Sequence, residues 1–308
     1  MLMGSANPRL GAAICNHLGI DPVQSEAITF SEGNTFVRVL ENIRGQDVFL
    51  IQGVCWPVND NFMELLFWVD ALRLASAGRI NVIMPHFSYA KGDKKDEPRV
   101  SIRARVCFDA LEQAGADRIV TLDLHSPQQQ GFCRLPVDHL YARHILCDYI
   151  TSLKIPDLVV ASADVGFGKN AFKYANILGT PVVIGNKMRT DHSETATMWN
   201  VVGDVRGKNV MIVDDIVFTG GSLIAMADAV LQLGAKSVYA AVTHGVLTPG
   251  AAGKIGASPI RKLIVTDTIE YRFEDPPANL EVVSVAELLA RAIESIHGNG
   301  SLAALFPE

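Results

Sequence analysis

The chain of 308 residues has little charge, few cysteines and no long apolar run. Charged residues make up 19% and hydrophobic residues 49%, a balance that is typical of globular chains and excludes a disordered one. The five cysteines include no Cys-x-x-Cys pair, which disfavours a zinc ribbon or a disulfide scaffold and favours a reducing, cytoplasmic setting. Because no apolar run approaches the length of a membrane span, we expect neither membrane association nor secretion.

Positive charge is also scarce: 27 lysines and arginines stand against 33 acidic residues, which gives a net charge of −6. Without a basic face, counterion release from a nucleic-acid backbone cannot drive binding, so we expect no nucleic-acid partner. An anionic ligand must instead be held by a local site. The length is sufficient for about two domains of ordinary size.

Short β-rich runs recur along the chain with helical patterns between them, which predicts an α/β fold with mainly parallel sheets. The runs lack strict alternation of polar and apolar residues, as expected of strands that helices cover on both faces. The expected strands begin at residues 47, 79, 117, 157, 181, 208, 236 and 261. We expect amphipathic helices that end at glycine over 60–78 and 221–234, and a short strand followed by a helix over 283–300.

Two halves repeat this plan, and the seam between them is expected between Leu140 and Ile155. We expect an N-terminal α/β domain over 1–143 and a C-terminal α/β domain over 144–287. The last segment, 288–308, is a candidate to return to the N-terminal domain. Polar residues follow several of the strands, and open α/β sheets bind ligands beyond the carboxyl ends of their strands.

Residues 209–222, NVMIVDDIVFTGGS, combine a buried strand, two carboxylates and a glycine-containing turn at the start of a helix. Two glycines let the backbone turn tightly and approach an oxyanion, to which hydroxyls and the first helical N–H groups can donate hydrogen bonds. The alternative is an ordinary strand–turn–helix unit with a serine or threonine cap. The segment predicts a phosphate-binding turn formed by Thr219, Gly220, Gly221 and Ser222.

Asp214 and Asp215 precede this turn, where carboxylates can accept hydrogen bonds from the vicinal hydroxyls of a sugar. Paired acids at the end of a buried strand are costly unless they bind something. The spacing therefore favours a pentose 5-phosphate as the ligand.

This segment resembles the ribose-5-phosphate loop shared by type I phosphoribosyltransferases and ribose-phosphate diphosphokinases. The rest of the chain resembles the diphosphokinases, also called phosphoribosyl pyrophosphate synthases, over nearly its whole length. Single-domain transferases lack the N-terminal half altogether, which disfavours that alternative. The stretches that carry the resemblance are 4–11, 30–39, 56–80, 85–95, 115–132, 163–166, 203–216, 239–247 and 265–269.

The resemblance implies two similar phosphoribosyltransferase-type domains, each a mainly parallel sheet flanked by helices. It also implies an enzyme that transfers the diphosphoryl group of ATP to the 1-hydroxyl of ribose 5-phosphate, giving phosphoribosyl diphosphate and AMP. In-line attack on phosphorus requires Mg²⁺ and cations around the developing charge more than a strong base.

The resemblance further implies a homo-oligomer, a hexamer or a dimer, with a nucleotide pocket completed by a neighbouring subunit. An apolar cluster on the expected second helix fits either such a contact surface or ordinary core packing. Its members are Phe62, Leu65, Leu66, Phe67 and Trp68.

By resemblance, His125 and Asp164 match the metal-binding residues, although a lone histidine is more often structural. Lys187 and Arg189 match the Lys-x-Arg pair with which the family stabilises the transferring phosphoryl groups. They belong to the polar stretch 186–198, which we expect to be an exposed, mobile loop. The alternative for both cations is ordinary solvation on a surface loop.

The implied nucleotide-binding residues depart from the family pattern at several positions. They are Phe30, Glu32, Asn34, Lys91 and Asp93. The family turn FSDGE reads FSEGN here, so Phe30 can still stack on a base while the amide of Asn34 can donate as well as accept.

The family segment YARQDRK reads YAKGDKK, in which Lys91 replaces a fork-shaped arginine and Gly92 replaces glutamine. Phe218 places a bulky ring beside the sugar loop. These changes keep two alternatives open: a diphosphokinase with another nucleotide or sugar-phosphate preference, and a non-catalytic regulatory homologue. Retention of the charged site residues disfavours the second.

Overall fold

The computed structural model describes residues 1–189, 197–271 and 276–305, with the backbone alone for 186–189 and 197–200. The chain divides into two compact units. Unit 1 comprises Met1–Tyr141, Thr268–Glu270 and the chain from Ser284 onward. Unit 2 comprises Ala142–Asp267 and Tyr271–Val283. The chain therefore first passes from unit 1 to unit 2 after Tyr141, two residues before the boundary expected from the sequence.

The described residues form fourteen strands and eight α-helices. The strands are β1 (Leu2–Met3), β2 (Ser25–Thr29), β3 (Thr35–Val39), β4 (Asp47–Ile51), β5 (Arg79–Met84), β6 (Arg118–Leu122), β7 (Val137–Leu140), β8 (Leu158–Ser162), β9 (Val182–Arg189), β10 (Thr197–Val202), β11 (Asn209–Val217), β12 (Ser237–Gly245), β13 (Ile260–Thr266) and β14 (Leu280–Val283). The helices are α1 (Pro8–Leu18), α2 (Val58–Leu74), α3 (Arg103–Ala114), α4 (Arg143–Ser152), α5 (Gly168–Leu178), α6 (Gly221–Gln232), α7 (Ala251–Gly256) and α8 (Ala286–His297).

Unit 1 is built on a parallel sheet with the order β1-β4-β5-β6-β7. A separate antiparallel hairpin pairs β2 with β3, and β3 contacts α2. The returning helix α8 packs against α1, so the end of the chain completes the unit in which the chain begins.

The apolar cluster on α2 belongs mainly to the core of unit 1. Leu65 and Trp68 are fully buried, and Phe62 and Leu66 pack against the same core. These four side chains therefore belong to the core of unit 1 rather than to a contact surface.

Unit 2 is built on a seven-stranded sheet with the order β10-β9-β8-β11-β12-β13-β14. All neighbouring strands are parallel except β9 and β10, which pair as an antiparallel hairpin. The prediction of an α/β fold with two mainly parallel, helix-flanked sheets is thereby confirmed. No helix in the described ranges combines the length and the apolar character that crossing a membrane requires.

The prediction of a loop over 186–198 is wrong at both of its ends. β9 continues through Arg189, and β10 begins at Thr197. Pairing of the two strands satisfies the backbone N–H and C=O groups that face each other, so the polarity of the side chains does not prevent a strand here. Residues 190–196 lie outside the described part of the chain.

The predicted helix ends at Gly78 and Gly234 are also wrong. α2 ends at Leu74, because Ser76 adopts a left-handed conformation with φ of 63°. Gly78 instead allows a close backbone approach, since a Cβ there would lie 2.6 Å from the Gly45 carbonyl oxygen. α6 ends at Gln232, two residues before Gly234 makes the turn into β12 with φ of 94°.

A network around Asp47 ties two strands of unit 1 to its C-terminal helix. Asp47 Oδ1 accepts hydrogen bonds from Arg79 Nε at 2.9 Å and Asn81 Nδ2 at 2.7 Å, and Oδ2 lies 2.9 Å from Nδ1 of His297 on α8. Burial by itself raises the pKa of Asp47, but the hydrogen bonds from Arg79, His297 and Asn81 outweigh it and lower the pKa below its usual value. The network therefore stabilises the ionised carboxylate.

We predict that Asp47→Asn lowers the free energy of unfolding at pH 7 by about 1–3 kcal/mol, because it removes charged hydrogen bonds from a side chain that is only 14% exposed. Since the folded pKa is lowered, this contribution is present above the unfolded pKa of about 3.9 and is lost as the pH falls through the folded pKa. Urea unfolding at pH 7 and pH 3 should therefore show a difference that shrinks in acid.

The matched control is Asp70→Asn, which removes an ion pair with Arg73 from a side chain that is 46% exposed. It should change the free energy of unfolding by less than about 0.5 kcal/mol. Equal effects of the two substitutions, or an Asp47 effect that does not depend on pH, would contradict this account.

Candidate active site

The site in unit 2 is built on β11, the strand between β8 and β12 in the sheet. The first five residues of β11 are buried, and the next three are half-buried. The described pairing of β11 with β8 ends at Val213, whereas the pairing with β12 continues to Val217. Asp214 and Asp215 therefore lie where the strand leaves the core of the sheet.

The surroundings of Asp214 oppose ionisation of its carboxyl group. The backbone N–H of Asp215 donates to Asp214 Oδ1 at 2.9 Å, which fixes the first carboxyl beside the second residue. Burial raises the pKa of Asp214 well above its usual value, and the nearby negative charges of Asp215 and Asp164 raise it further. This edge of unit 2 thus favours a proton, a cation or a hydrogen-bond donor at Asp214.

Asp164 lies in the loop after β8. Its Oδ1 accepts a hydrogen bond from the backbone N–H of Phe167 at 2.7 Å, and its carbonyl accepts one from the Ser162 hydroxyl. The side chain is exposed at the entrance to α5. The backbone therefore holds Asp164 at the end of β8, next in the sheet to the end of β11.

The predicted phosphate-binding turn leads from β11 into α6. Gly220 is the N-cap, with φ of 77°, and a Cβ there would lie 2.8 Å from Cγ1 of Ile255. Only glycine fits this position without strain. Because glycine has no side chain, no side-chain hydroxyl caps the helix from the N-cap position itself.

Hydrogen bonds from the loop after β12 hold this turn in place. The Thr248 backbone N–H and hydroxyl donate to the carbonyl of Phe218 at 3.0 Å and 3.2 Å. Thr219, Gly221 and Ser222 are exposed, and Thr219 Oγ1 accepts only a long, 3.4 Å hydrogen bond from the N–H of Gly221. Phe218 is half-buried. The exposed N–H groups and hydroxyls at the start of α6 are available to an anion.

The first metal candidate, His125, belongs to unit 1. It is exposed and follows β6, and the two residues before it are fixed by backbone hydrogen bonds: Asp123 N–H donates to the Leu140 carbonyl and Leu124 N–H donates to His139 Nε2. Within the described ranges, no cluster of three or more His, Cys, Asp or Glu side chains is arranged to hold a metal ion by itself.

The candidate nucleotide-binding residues Phe30, Glu32 and Asn34 form the turn of the β2–β3 hairpin. The N–H of Phe30 donates to the Asn34 carbonyl at 2.8 Å, which closes the turn. The Phe30 ring is 43% exposed and lies 6.2 Å from the ring of Phe36, measured between centroids. All three side chains are accessible to a ligand.

Lys91 ends the 3₁₀ turn Ser88–Lys91, and it is exposed, whereas Asp93 is half-buried. The fully buried amide of Gln129 donates to the Ala90 carbonyl at 2.8 Å and holds this turn to the loop after β6. Sequence reasoning missed Gln129. A polar residue in a polar run gives no signal that one of its members is buried.

Lys187 and Arg189 lie on β9, where their backbones pair with Trp199 and Thr197 of β10. Their side chains lie outside the described part of the structure. Unit 2 thus contains Asp164 together with the acidic pair and the predicted phosphate-binding turn. Unit 1 contains His125 and the nucleotide-binding candidates.

Two family models match the chain. The N-terminal domain of ribose phosphate pyrophosphokinase matches residues 1–115, and the phosphoribosyl synthetase-associated domain matches residues 165–307. Together they include every candidate residue named above except His125 and Asp164.

Curated relatives match over nearly the whole length. The ribose-phosphate pyrophosphokinase of Caldanaerobacter subterraneus subsp. tengcongensis is 42% identical over 304 residues, which cover 98% of this chain and 96% of the relative. That of Chlorobaculum tepidum is 42% identical and covers 99% of this chain and 94% of the relative.

The crystal structure of phosphoribosylpyrophosphate synthetase from Mycobacterium smegmatis is similar with a TM-score of 0.91. It is 38% identical, and the match covers 97% of this chain and 98% of that one. The resemblance read from the sequence is thereby confirmed, and the protein is an enzyme. The chain belongs to the ribose-phosphate pyrophosphokinase family.

Proposed function

We propose that this enzyme transfers the diphosphoryl group of ATP to the 1-hydroxyl of ribose 5-phosphate, giving phosphoribosyl diphosphate and AMP. The observation that carries the proposal is the arrangement at the end of β11. There a pair of carboxyl groups, of which Asp214 has a raised pKa, precedes a helix whose N-cap is glycine. Such a site offers acceptors for sugar hydroxyls and donors for a phosphate within one short segment.

The 5-phosphate of the sugar would bind at the start of α6. The exposed hydroxyls of Thr219 and Ser222 and the N–H groups around Gly221 can donate to phosphate oxygens, and the positive end of the helix dipole favours the anion. Gly220 lets the backbone approach closely. The vicinal hydroxyls of the ribose would then donate to Asp214 and Asp215, which supplies the donors that this carboxylate pair favours.

The residues present fit Mg²⁺. Asp214 has a raised pKa because it is half-buried beside other carboxylates, and a divalent cation offsets their charge. We propose Asp164 and His125 as the metal-binding residues, with water and phosphate oxygens as further ligands, as is usual for magnesium. The chemistry that Mg²⁺ would supply is neutralisation of charge on the phosphoryl oxygens.

In the proposed reaction the O1 oxygen of ribose 5-phosphate attacks the β-phosphorus of ATP. The new O1–P bond forms as the bond from the β-phosphorus to the α,β-bridging oxygen breaks. AMP departs with that oxygen, and the proton of the 1-hydroxyl is released. Lys187 would stabilise the transferring group with the compact positive charge of its ammonium group. Arg189 would do so with the planar, fork-shaped donors of its guanidinium group.

The nucleotide would bind through the candidates of unit 1. The exposed Phe30 ring can stack on a base, and Glu32 and Asn34 can hydrogen-bond to its edge. Lys91 and Asp93 would contact the phosphates and their metal. A preference for another nucleotide or sugar phosphate is a second candidate, favoured by the amide of Asn34 and by the half-buried Phe218 beside the sugar loop.

The proposal also includes a homo-oligomer, a hexamer or a dimer, in the cytoplasm, with no nucleic-acid or membrane partner. The most exposed large apolar side chains in unit 1 are our candidates for a subunit contact. Trp56 is 83% exposed and Leu74 is 72% exposed.

The direct test measures AMP and phosphoribosyl diphosphate together after incubation with Mg²⁺, ATP and ribose 5-phosphate. We expect equal amounts of both, and a loss of at least about a hundredfold in Lys187→Ala. Lys254→Ala, which removes an exposed lysine from the last turn of α7, should retain normal turnover. Product from another nucleotide or sugar phosphate alone would replace the main proposal with the second candidate.

We also predict that Asp214→Asn stabilises the fold while it abolishes turnover. Burial raises the folded pKa of Asp214, so the ionised carboxyl destabilises the folded state above that pKa and has no such cost below the unfolded pKa of about 3.9. The variant should therefore gain about 1 kcal/mol in the free energy of unfolding at pH 7 and nothing at pH 3.

Chemical unfolding at both pH values measures this gain, and the assay above measures turnover. Asp228→Asn, which removes an exposed carboxylate from the same unit, should leave both unchanged. An Asp214→Asn variant that is less stable than the wild type at pH 7 would show that the carboxylate contributes to folding rather than to binding.

A further inference from the structure

The backbone at Gly92 is covered by the side chain of Arg103. A Cβ at position 92 would lie 2.6 Å from Arg103 Nε and 3.0 Å from Arg103 Cβ. The first distance is shorter than real Cβ atoms show, and the second is tight, with the Cβ of Arg103 fixed to its helix. Glycine at 92 and arginine at 103 are therefore one structural pair: the absence of a side chain at the first makes room for the second.

The backbone fixes the relation of this pair to the 3₁₀ turn Ser88–Lys91. The N–H of Ala104, in the first turn of α3, donates to the carbonyl of Gly92 at 3.1 Å. The N–H of Gly92 in turn donates to the Tyr89 carbonyl at 2.8 Å. Arg103 is thus held beside the residue that directly follows Lys91.

Helix stability does not explain an arginine at this position. Arg103 is the first residue of α3, where the helix dipole disfavours a positive charge. It is exposed, and no carboxylate pairs with its guanidinium in the part of the chain that the structure describes. By contrast, Arg105 of the same helix pairs with Asp109 at 3.8 Å. The charge of Arg103 is therefore available to an anion from solvent.

We infer that Arg103 binds the polyphosphate of the nucleotide, at the site that the proposed function assigns to Lys91 and Asp93. The inference rests on that proposed function. A lysine at position 91 offers a compact charge and no planar fork, whereas a guanidinium binds two phosphate oxygens at once. Arg103 supplies the bidentate donor beside Lys91, and Gly92 is the residue that admits it.

The test compares Arg103→Ala, Arg103→Lys and Gly92→Gln with the control Arg105→Ala. Direct binding of ATP with Mg²⁺ and of inorganic tripolyphosphate is measured by calorimetry, and steady-state kinetics gives KM for each substrate. Arg103→Ala should weaken binding of both ligands and raise the KM for ATP roughly 10- to 100-fold, with an unchanged KM for ribose 5-phosphate. Circular dichroism checks that each variant folds.

The other variants separate the effect of the charge from that of the planar guanidinium and of the space at position 92. Arg103→Lys should recover part of the affinity, because it restores charge without the planar fork. Gly92→Gln should weaken binding as Arg103→Ala does, because its side chain takes the space of the guanidinium stem. Arg105→Ala should bind both ligands as the wild type does.

Equal affinities in Arg103→Ala and Arg105→Ala would overturn the inference while leaving the proposed function intact. Loss of ATP binding with unchanged tripolyphosphate binding would also overturn it, since the contact would then be with the nucleoside. A wild-type protein that forms no AMP yet binds tripolyphosphate through Arg103 would refute the proposed function and support the polyphosphate contact.

Discussion

Two carboxylates at the end of a buried strand are the constraint on which the chemistry of this fold depends. Asp214 and Asp215 lie where β11 leaves the core, and burial together with the negative charge of Asp215 opposes ionisation of Asp214. A fold selected only for stability would place neutral residues there. The cost persists because the next five residues turn into α6 through Gly220, which brings anion donors close to the acidic pair.

Unit 1 is also built on a parallel sheet. There the parallel sheet again presents polar residues after its strands, with His125 following β6, but the expected ligand contacts come from turns. Gln129 holds the turn before Gly92, and Arg103 packs over that glycine. Rigid strands fix where the turns begin, and a few side-chain contacts decide which charges the turns present.

The sequence predicted the features that depend on local pattern. The strand of β11, its acidic pair and the glycine turn could be recognised because buried runs, paired acids and glycines act within a few residues of one another. The features it did not predict depend on tertiary contact. The extension of β9 through Arg189 requires its partner β10, and the packing of Arg103 over Gly92 joins residues separated by an eleven-residue interval. No local pattern signals either of them.

The most direct test of the central claim is the pKa of the Asp214 carboxyl, measured by carbon NMR titration with and without Mg²⁺ and ribose 5-phosphate. We expect a pKa well above the usual aspartate value of about 3.9 in the free enzyme. We also expect this pKa to fall clearly when the cation and the sugar phosphate bind, because both favour the ionised form. A pKa near the usual value, unchanged by either ligand, would contradict the claim that Asp214 and Asp215 bind the cation and the sugar phosphate.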